Sequence, residues 1–256
     1  MAKSSEALRL DIDGRVAWLT LCRPQSANRV DERLLFELAS ACEAISGNED
    51  AALVVLRADG QSFCAGWDET TRRSMMHDPA RKGDPFGCLA ALPMPVLASM
   101  QGEVTGAGLE LALACDVRVA ATNARFSLPD VGLGGMPLAG GGARLPRVVG
   151  RSVATAMLLL GDELDAESAY RAGLVSRVFE EDALVREIEA MVSRIVANGP
   201  LALRYAKELV RNGMEQSLDQ ALRYELDLSV ILQTTADRAE GVSAFLEKRD
   251  PRFEGR

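Results

Sequence analysis

Glu110, Asp130 and a glycine-flanked turn lie in one stretch of the chain, from Gln101 to Asp130, QGEVTGAGLELALACDVRVAATNARFSLPD. Gly106-Ala107-Gly108 opens onto an apolar run, Leu109 to Ala114, whose single acid is Glu110. A helix starting at about Thr105 would leave its first amides without intrahelical partners, at the positive end of the dipole, where oxyanions bind. Ala107 and Glu110, three apart, would share a face of that helix. The stretch can therefore offer a polarising amide and a carboxylate to one ligand. A second acid, Asp130, ends it at Leu-Pro-Asp. The same residues also fit a buried Ala/Leu-rich helix with one solvated glutamate. The rest of the chain has to decide.

A length of 256 residues allows one large domain, or a domain with an appendage, and a sizeable core. The formal charge of −8 argues against nucleic acid and anionic membrane as partners, and no apolar run nears the roughly 18 to 20 residues of a membrane span. MAKSSEALRL lacks the apolar core of a signal peptide, so a cytoplasmic location is expected. The five cysteines, Cys22, Cys42, Cys64, Cys88 and Cys115, form no CxxC pair and no metal spacing, and read as reduced core thiols. The one histidine, His77, falls in a polar stretch near Pro79 and Gly83 and reads as a surface residue.

Around the acids, strand and helix signals alternate, an α/β pattern. Leu8–Ile12 and Val16–Leu21 flank Asp13-Gly14, a hairpin signal. Asp31 caps a helix ending at Gly47, and Ala52–Leu56 reads as a buried strand. Ser62 to Asp68 forms a second small-residue turn. Glu69 to Gly87 reads as a loop with a marginal helix. Val96–Met100 and Cys115–Ala120 read as strands, Val153–Leu160 as helix, and Leu174–Phe179 as strand after a short helix capped by Asp165. Glycines dense from Gly132 to Gly142 suggest backbone packed closely against something. From Asn198 to about Lys248 the pattern is helical throughout, with a capping box at Ser217/Gln220 and a weaker one at Thr234/Asp237. That divides the chain into a core, 1–198, and a helical C-terminal region, 199–256.

Several of these pieces, in order, resemble the crotonase superfamily of enoyl-CoA hydratases and isomerases. They are Arg23-Pro24…Asn28, Ser62 to Asp68, Gly102…Gly106-Ala107-Gly108-Leu109-Glu110…Cys115-Asp116, and Phe126 to Leu133. Arg144-Leu145-Pro146…Gly150, Gly173-Leu174-Val175 and Glu240-Gly241…Phe245 to Arg249 complete the set. Each alone is weak, but together they span about nine-tenths of the chain.

The resemblance implies a spiral of ββα turns with C-terminal helices that assemble trimers or pairs of trimers. It implies an acyl-CoA thioester as substrate, with no cofactor beyond the coenzyme A that the substrate carries, and no metal. The thioester oxygen would lie between the backbone amides of Trp67 and Ala107. Glu110 and Asp130 stand where the family's hydratases carry their acids, and Leu109, Leu111 and Leu133 would wall them. Ala27, Ala65, Gly66, Asp68 and Gly106 would line the substrate, and Phe245 and Lys248 would meet the adenine and phosphates. Asp130 replaces the commoner glutamate, Trp67 a small residue, and Gln25 and Met94 frequent basic ones. Arg144 and Arg147 are expected in structural ion pairs. Hydration of a trans-2-enoyl-CoA is the leading expectation. A Δ3,Δ2-enoyl-CoA isomerase is the alternative, and a non-catalytic acyl-CoA- or RNA-binding member of the fold comes behind both.

Overall fold

The computed structural model describes residues 6–77 and 83–256. The expected hairpin is present: β1 (Leu8–Asp13) and β2 (Val16–Leu21) pair antiparallel across Asp13-Gly14. Asp31 caps α1 (Glu32–Ser46) by accepting from the Leu34 amide at 2.8 Å. From there the chain enters β3 (Leu53–Ala58), α2 (Glu69–His77) and α3 (Gly87–Ala90). Next come β4 (Val96–Met100), β5 (Glu103–Thr105) and α4 (Ala107–Leu113), then β6 (Val117–Ala121), β7 (Arg125–Ser127) and α5 (Gly141–Leu159). A 3-10 turn, Pro129–Leu133, precedes α5 and carries Asp130.

These pieces wind as a spiral. β4-β5-α4 and β6-β7-α5 are successive ββα turns. The first strand of each joins a six-stranded sheet, β1-β2-β3-β4-β6-β9, parallel beyond β2, which closes with β9 (Arg177–Phe179). The second strand of each joins a smaller sheet, β5-β7-β8, with β8 at Leu164–Asp165. Cys64 bridges to Val104 at the edge of β5, so the Ser62–Asp68 turn extends the small sheet by one rung. Burial follows strand periodicity. Val54, Leu56, Val96, Ala98 and Met100 face the main core, which α1 and α4 share. Leu53, Val55, Leu97 and Val119 face outward, onto Leu184, Ile188 and Val192 of α7 (Leu184–Val196). Both faces are covered, which is why these strands read as continuous apolar runs.

Between these, α6 (Ala166–Arg171) is capped by Asp165 as expected. Asn198-Gly199 leads into α8 (Pro200–Gly213), α9 (Leu218–Gln233) and α10 (Ala236–Glu247). The Ser217/Gln220 capping box is formed. The second cap is not where it was expected. Thr235, not Thr234, caps α10, and Asp237 instead accepts the amides of Glu254 and Gly255 at 2.7 and 3.0 Å. Asp237 therefore pins the returning tail. α8 is tied to the core by Lys207, which pairs with Asp116 at 2.7 Å and donates to the Met94 carbonyl. Arg144 pairs with Asp84 and Arg147 with Glu215, as expected. All five cysteines are free thiols. Among the described residues, no helix is long and apolar enough to cross a membrane.

Candidate active site

Two glycine turns meet at the centre of the spiral. Gly66 has φ +97° and Gly106 φ +53°, both in the region that disfavours a side chain. They touch: a Cβ on Gly106 would stand 3.7 Å from the Gly66 Cα. The first turn is registered by the Cys64 amide to the Glu103 carbonyl and the Thr105 amide to the Cys64 carbonyl, each 3.0 Å. The Ala65 amide donates to the Ala27 carbonyl, and the Val30 amide to that of Gly66. Ala27 and Asn28 are themselves left-handed, φ 49° and 54°. The buried Asn28 side chain fixes that bend, donating to the Asp59 and Ser62 carbonyls and accepting from the Arg23 amide. Asn is the residue type that tolerates this conformation while bonding backbone. The second turn is fixed by the Gly106 amide donating to Ser127, and α4 begins at Ala107 rather than at Thr105.

Once these bonds are made, the amides of Trp67 and Ala107 have no acceptor among the described residues. Ala107 is the first residue of α4, so its free N–H lies at the positive helix end. The arrangement offers two backbone donors from adjoining turns, the kind of pair that stabilises an oxyanion.

Glu110 lies one turn along α4, and the bland alternative of a solvated glutamate does not hold: it is fully buried. Its Oε1 accepts the amides of Ala139 and Gly141 at 2.7 and 2.9 Å. Its Oε2 is buried without a partner. Burial pushes its pKa up to about 7, against the two amides, and the charge of Asp130 adds to the rise. The glycine density thus packs against the carboxylate itself. A Cβ on Gly141 would lie 2.9 Å from the Glu110 Cγ.

Asp130, on the 3-10 turn, is also buried, and its Oδ2 has no partner. Burial raises its pKa, while its own amide and the Arg72 charge pull it down. Two buried carboxylates, each presenting one unpartnered oxygen and each sensing desolvation, are poised for proton transfer.

The walls differ in part from expectation. Leu109 and Leu111 are buried, but Leu133 is 60 % exposed, and the leucine packed beside Gly141 and Glu110 is Leu128. Trp67 is 5 % exposed and stacks on Phe86, centroids 6.1 Å apart and planes at 11°. Asp68 caps α2, accepting from the amides of Thr70 and Thr71. The marginal helix expected in this stretch runs from Glu69 to His77, and His77 is exposed at its end. Phe245, 84 % exposed, and Lys248, left-handed at the end of α10, share no hydrogen bond or ion pair with these turns in the single chain. The part played by the Ala139 and Gly141 amides was missed by the sequence reading; the glycines of 140–142 were its only signal.

Residues 11–256 match the family described as enoyl-CoA hydratase/isomerase. The chain belongs to that family. Its enoyl-CoA hydratase/isomerase relatives include the 2,3-dehydroadipyl-CoA hydratase of Escherichia coli, 40% identical over 94% of this chain and 96% of that protein. The crotonyl-CoA hydratase of Syntrophomonas wolfei is 35% identical over 97% and 98%. Among solved structures, an enoyl-CoA hydratase from Bacillus anthracis superposes with a TM-score of 0.93 at 33% identity, covering 98% of this chain and all of that one. The enoyl-CoA hydratase/isomerase spiral, with its helical C-terminal region, is therefore the fold of this chain.

Proposed function

We propose that the protein is an enoyl-CoA hydratase, a lyase that adds water across the 2,3 double bond of a trans-2-enoyl-CoA to give the 3-hydroxyacyl-CoA. The observation that carries this is the pair of unpartnered carboxylate oxygens, Glu110 Oε2 and Asp130 Oδ2, in a chain that also leaves two backbone amides free. The thioester oxygen accepts from the amides of Trp67 and Ala107. As water adds to Cβ, negative charge moves to that oxygen, and each amide is worth roughly 2.7 to 4 kcal/mol in the transition state. Glu110 takes the proton of the attacking water, its Oε1 held by two amides and its Oε2 left unpartnered. Asp130 delivers a proton to Cα. Water's oxygen ends on Cβ and a hydrogen on Cα, and the pair begins and ends with one proton. No cofactor enters this scheme. Ala27, Ala65, Gly66, Asp68 and Gly106 shape the thioester cradle through backbone.

The named relatives act on acyl groups as different as crotonyl and 2,3-dehydroadipyl. Membership of the family therefore does not carry the acyl group. An isomerase would need only one acid, whereas here both are built in. The discriminating assay offers trans-2-enoyl-CoA and trans-3-enoyl-CoA separately. The hydratase reading expects 3-hydroxyacyl-CoA from the first. Conversion of the second to the 2-enoyl form, with no hydroxyacyl product from either, would replace it with an isomerase.

Assembly through the helical region 199–256, as a trimer or a pair of trimers, belongs to the same proposal. Leu218, Leu222, Leu226 and Val230 form an exposed stripe at four-residue spacing along α9, and Phe245 and Leu246 extend the apolar surface on α10. Sedimentation equilibrium should return three or six times the chain mass, which a monomer at micromolar concentration would contradict. In such an assembly Phe245 and Lys248 can serve the adenine and phosphates of a neighbour's ligand. A cytoplasmic location completes the reading.

A further inference from the structure

We propose that Arg144 is a positioning residue for Glu110: its guanidinium, forked onto Asp84, holds in place the turn whose amides bind that carboxylate. This rests on the reading of Glu110 as the base that activates water. Ala139 is the first link. Its amide donates to Glu110 Oε1 at 2.7 Å, and its carbonyl accepts from Arg144 Nη1 at 2.9 Å. The peptide between Gly140 and Gly141 is the second. Its N–H donates to Glu110 Oε1 at 2.9 Å, and its carbonyl accepts the Arg144 amide at 2.8 Å. The guanidinium lies directly against this turn, since a Cβ on Gly140 would collide with Arg144 Nη1.

Asp84 fixes the guanidinium from the other side. Arg144 Nη1 donates to Asp84 Oδ1 at 3.2 Å and Nη2 donates to Oδ2, a two-pronged pairing that suits the planar fork of arginine. Asp84 is in turn held where the chain enters α3. Its Oδ1 accepts the Phe86 amide at 3.2 Å, and its carbonyl accepts the Gly87 amide at 2.9 Å. Phe86 is fully buried and stacks on Trp67. The ion pair therefore runs from a buried anchor to the cradle of Glu110. Its partners are 22% and 41% exposed, and pairs so open to solvent add little to global stability. Its effect falls on the acid instead.

The direction of that effect follows from the bonds. Hydrogen bonds to a carboxylate favour its ionised form. The Gly141 and Ala139 amides hold the Glu110 pKa down, against burial and the charge of Asp130, which both raise it. Releasing Ala139 leaves the proton more tightly held, so less of the base is ionised near neutral pH. Asp130, the charged group that acts on Glu110, is the same in every variant compared.

The direct readout is an NMR titration of the Glu110 carboxyl carbon in protein labelled at its glutamate carboxyls, assigned against Glu110→Gln. It needs no substrate. Arg144→Met should raise the midpoint by roughly 0.5 to 1 pH unit, part of the strength of one hydrogen bond to a charged group. Arg144→Lys keeps the charge and loses the fork, so it should recover only part of that shift. Asp84→Asn should move the midpoint the same way by less. Crotonyl-CoA turnover by Arg144→Met should be down about two- to fivefold at about pH 7 and near wild type by about pH 9. An unmoved midpoint in Arg144→Met, a shift that Arg144→Lys reverses in full, or a turnover loss as large at the higher pH would overturn the proposal. A wild type that hydrates no enoyl-CoA, with the titration shifted as expected, would overturn the hydratase reading alone.

Discussion

Glu110→Gln should become progressively more stable than the wild type as pH rises. The Glu110 pKa is about 7 in the folded chain against an ordinary 4.5. Below the lower value the acid is neutral in both states and its ionisation costs the fold nothing. Between the two values the unfolded chain ionises first, so wild-type stability falls with rising pH. Above the folded value both states are charged and the loss is complete. The integrated difference is roughly 3 kcal/mol, appearing between about pH 4.5 and pH 8. Gln keeps an oxygen for the Ala139 and Gly141 amides and carries no charge, so it escapes this loss. Urea midpoints of both proteins across that range are the check. Parallel pH profiles would mean that Glu110 does not titrate near neutrality. Asp130 has the same sign, since burial raises its pKa too, with Arg72 restraining the rise.

Gly108→Ala should damage the site severely. A Cβ there would lie 2.1 Å from the Cys64 carbonyl oxygen and 2.8 Å from the Cys64 Cβ. The nearest obstacle is backbone, so no side chain can rotate away. That carbonyl accepts the Thr105 amide that registers the two turns. The methyl must therefore push the Trp67 turn off the start of α4 and separate the two free amides. Overpacking of this kind costs about 1 to 3 kcal/mol or more, and a displaced oxyanion donor about 100- to 1,000-fold in kcat. Gly142→Ala is the control: nothing lies within 4 Å of its Cβ, and it sits in α5. Thermal midpoints and kcat should fall together at 108 and barely move at 142.

Much of this was legible in the sequence because the determinants are local. Asp13-Gly14, Asp31, Asp165 and the Ser217/Gln220 box act within a few residues of themselves, and each formed as read. The two small-residue turns were legible because left-handed backbone there demands glycine. What escaped depends on distant partners. α2 looked marginal because only Thr71 and Met75 are buried in it; Asp68 supplies its cap, and Trp67 just before it stacks on Phe86. Asp237 resembled a helix-start residue, and its role is set by Glu254 and Gly255. Leu133 looked like wall by adjacency to Asp130, yet the 3-10 turn aims it outward. The glycines of 140–142 signalled close approach but not to what. Only the fold shows that Gly141 packs against Glu110.

In the proposed mechanism two buried acids add water as a unit. Its most direct test is the turnover of crotonyl-CoA to 3-hydroxybutyryl-CoA by wild type, Glu110→Gln, Asp130→Asn and the double variant. General acid–base groups contribute about 100- to 10,000-fold, and groups acting together lose most of it when either is removed. Each single variant should fall at least about 100-fold in kcat, with the double variant little lower than the worse single one. A wild type that forms 3-hydroxybutyryl-CoA while either single variant keeps more than about a tenth of its kcat would contradict it.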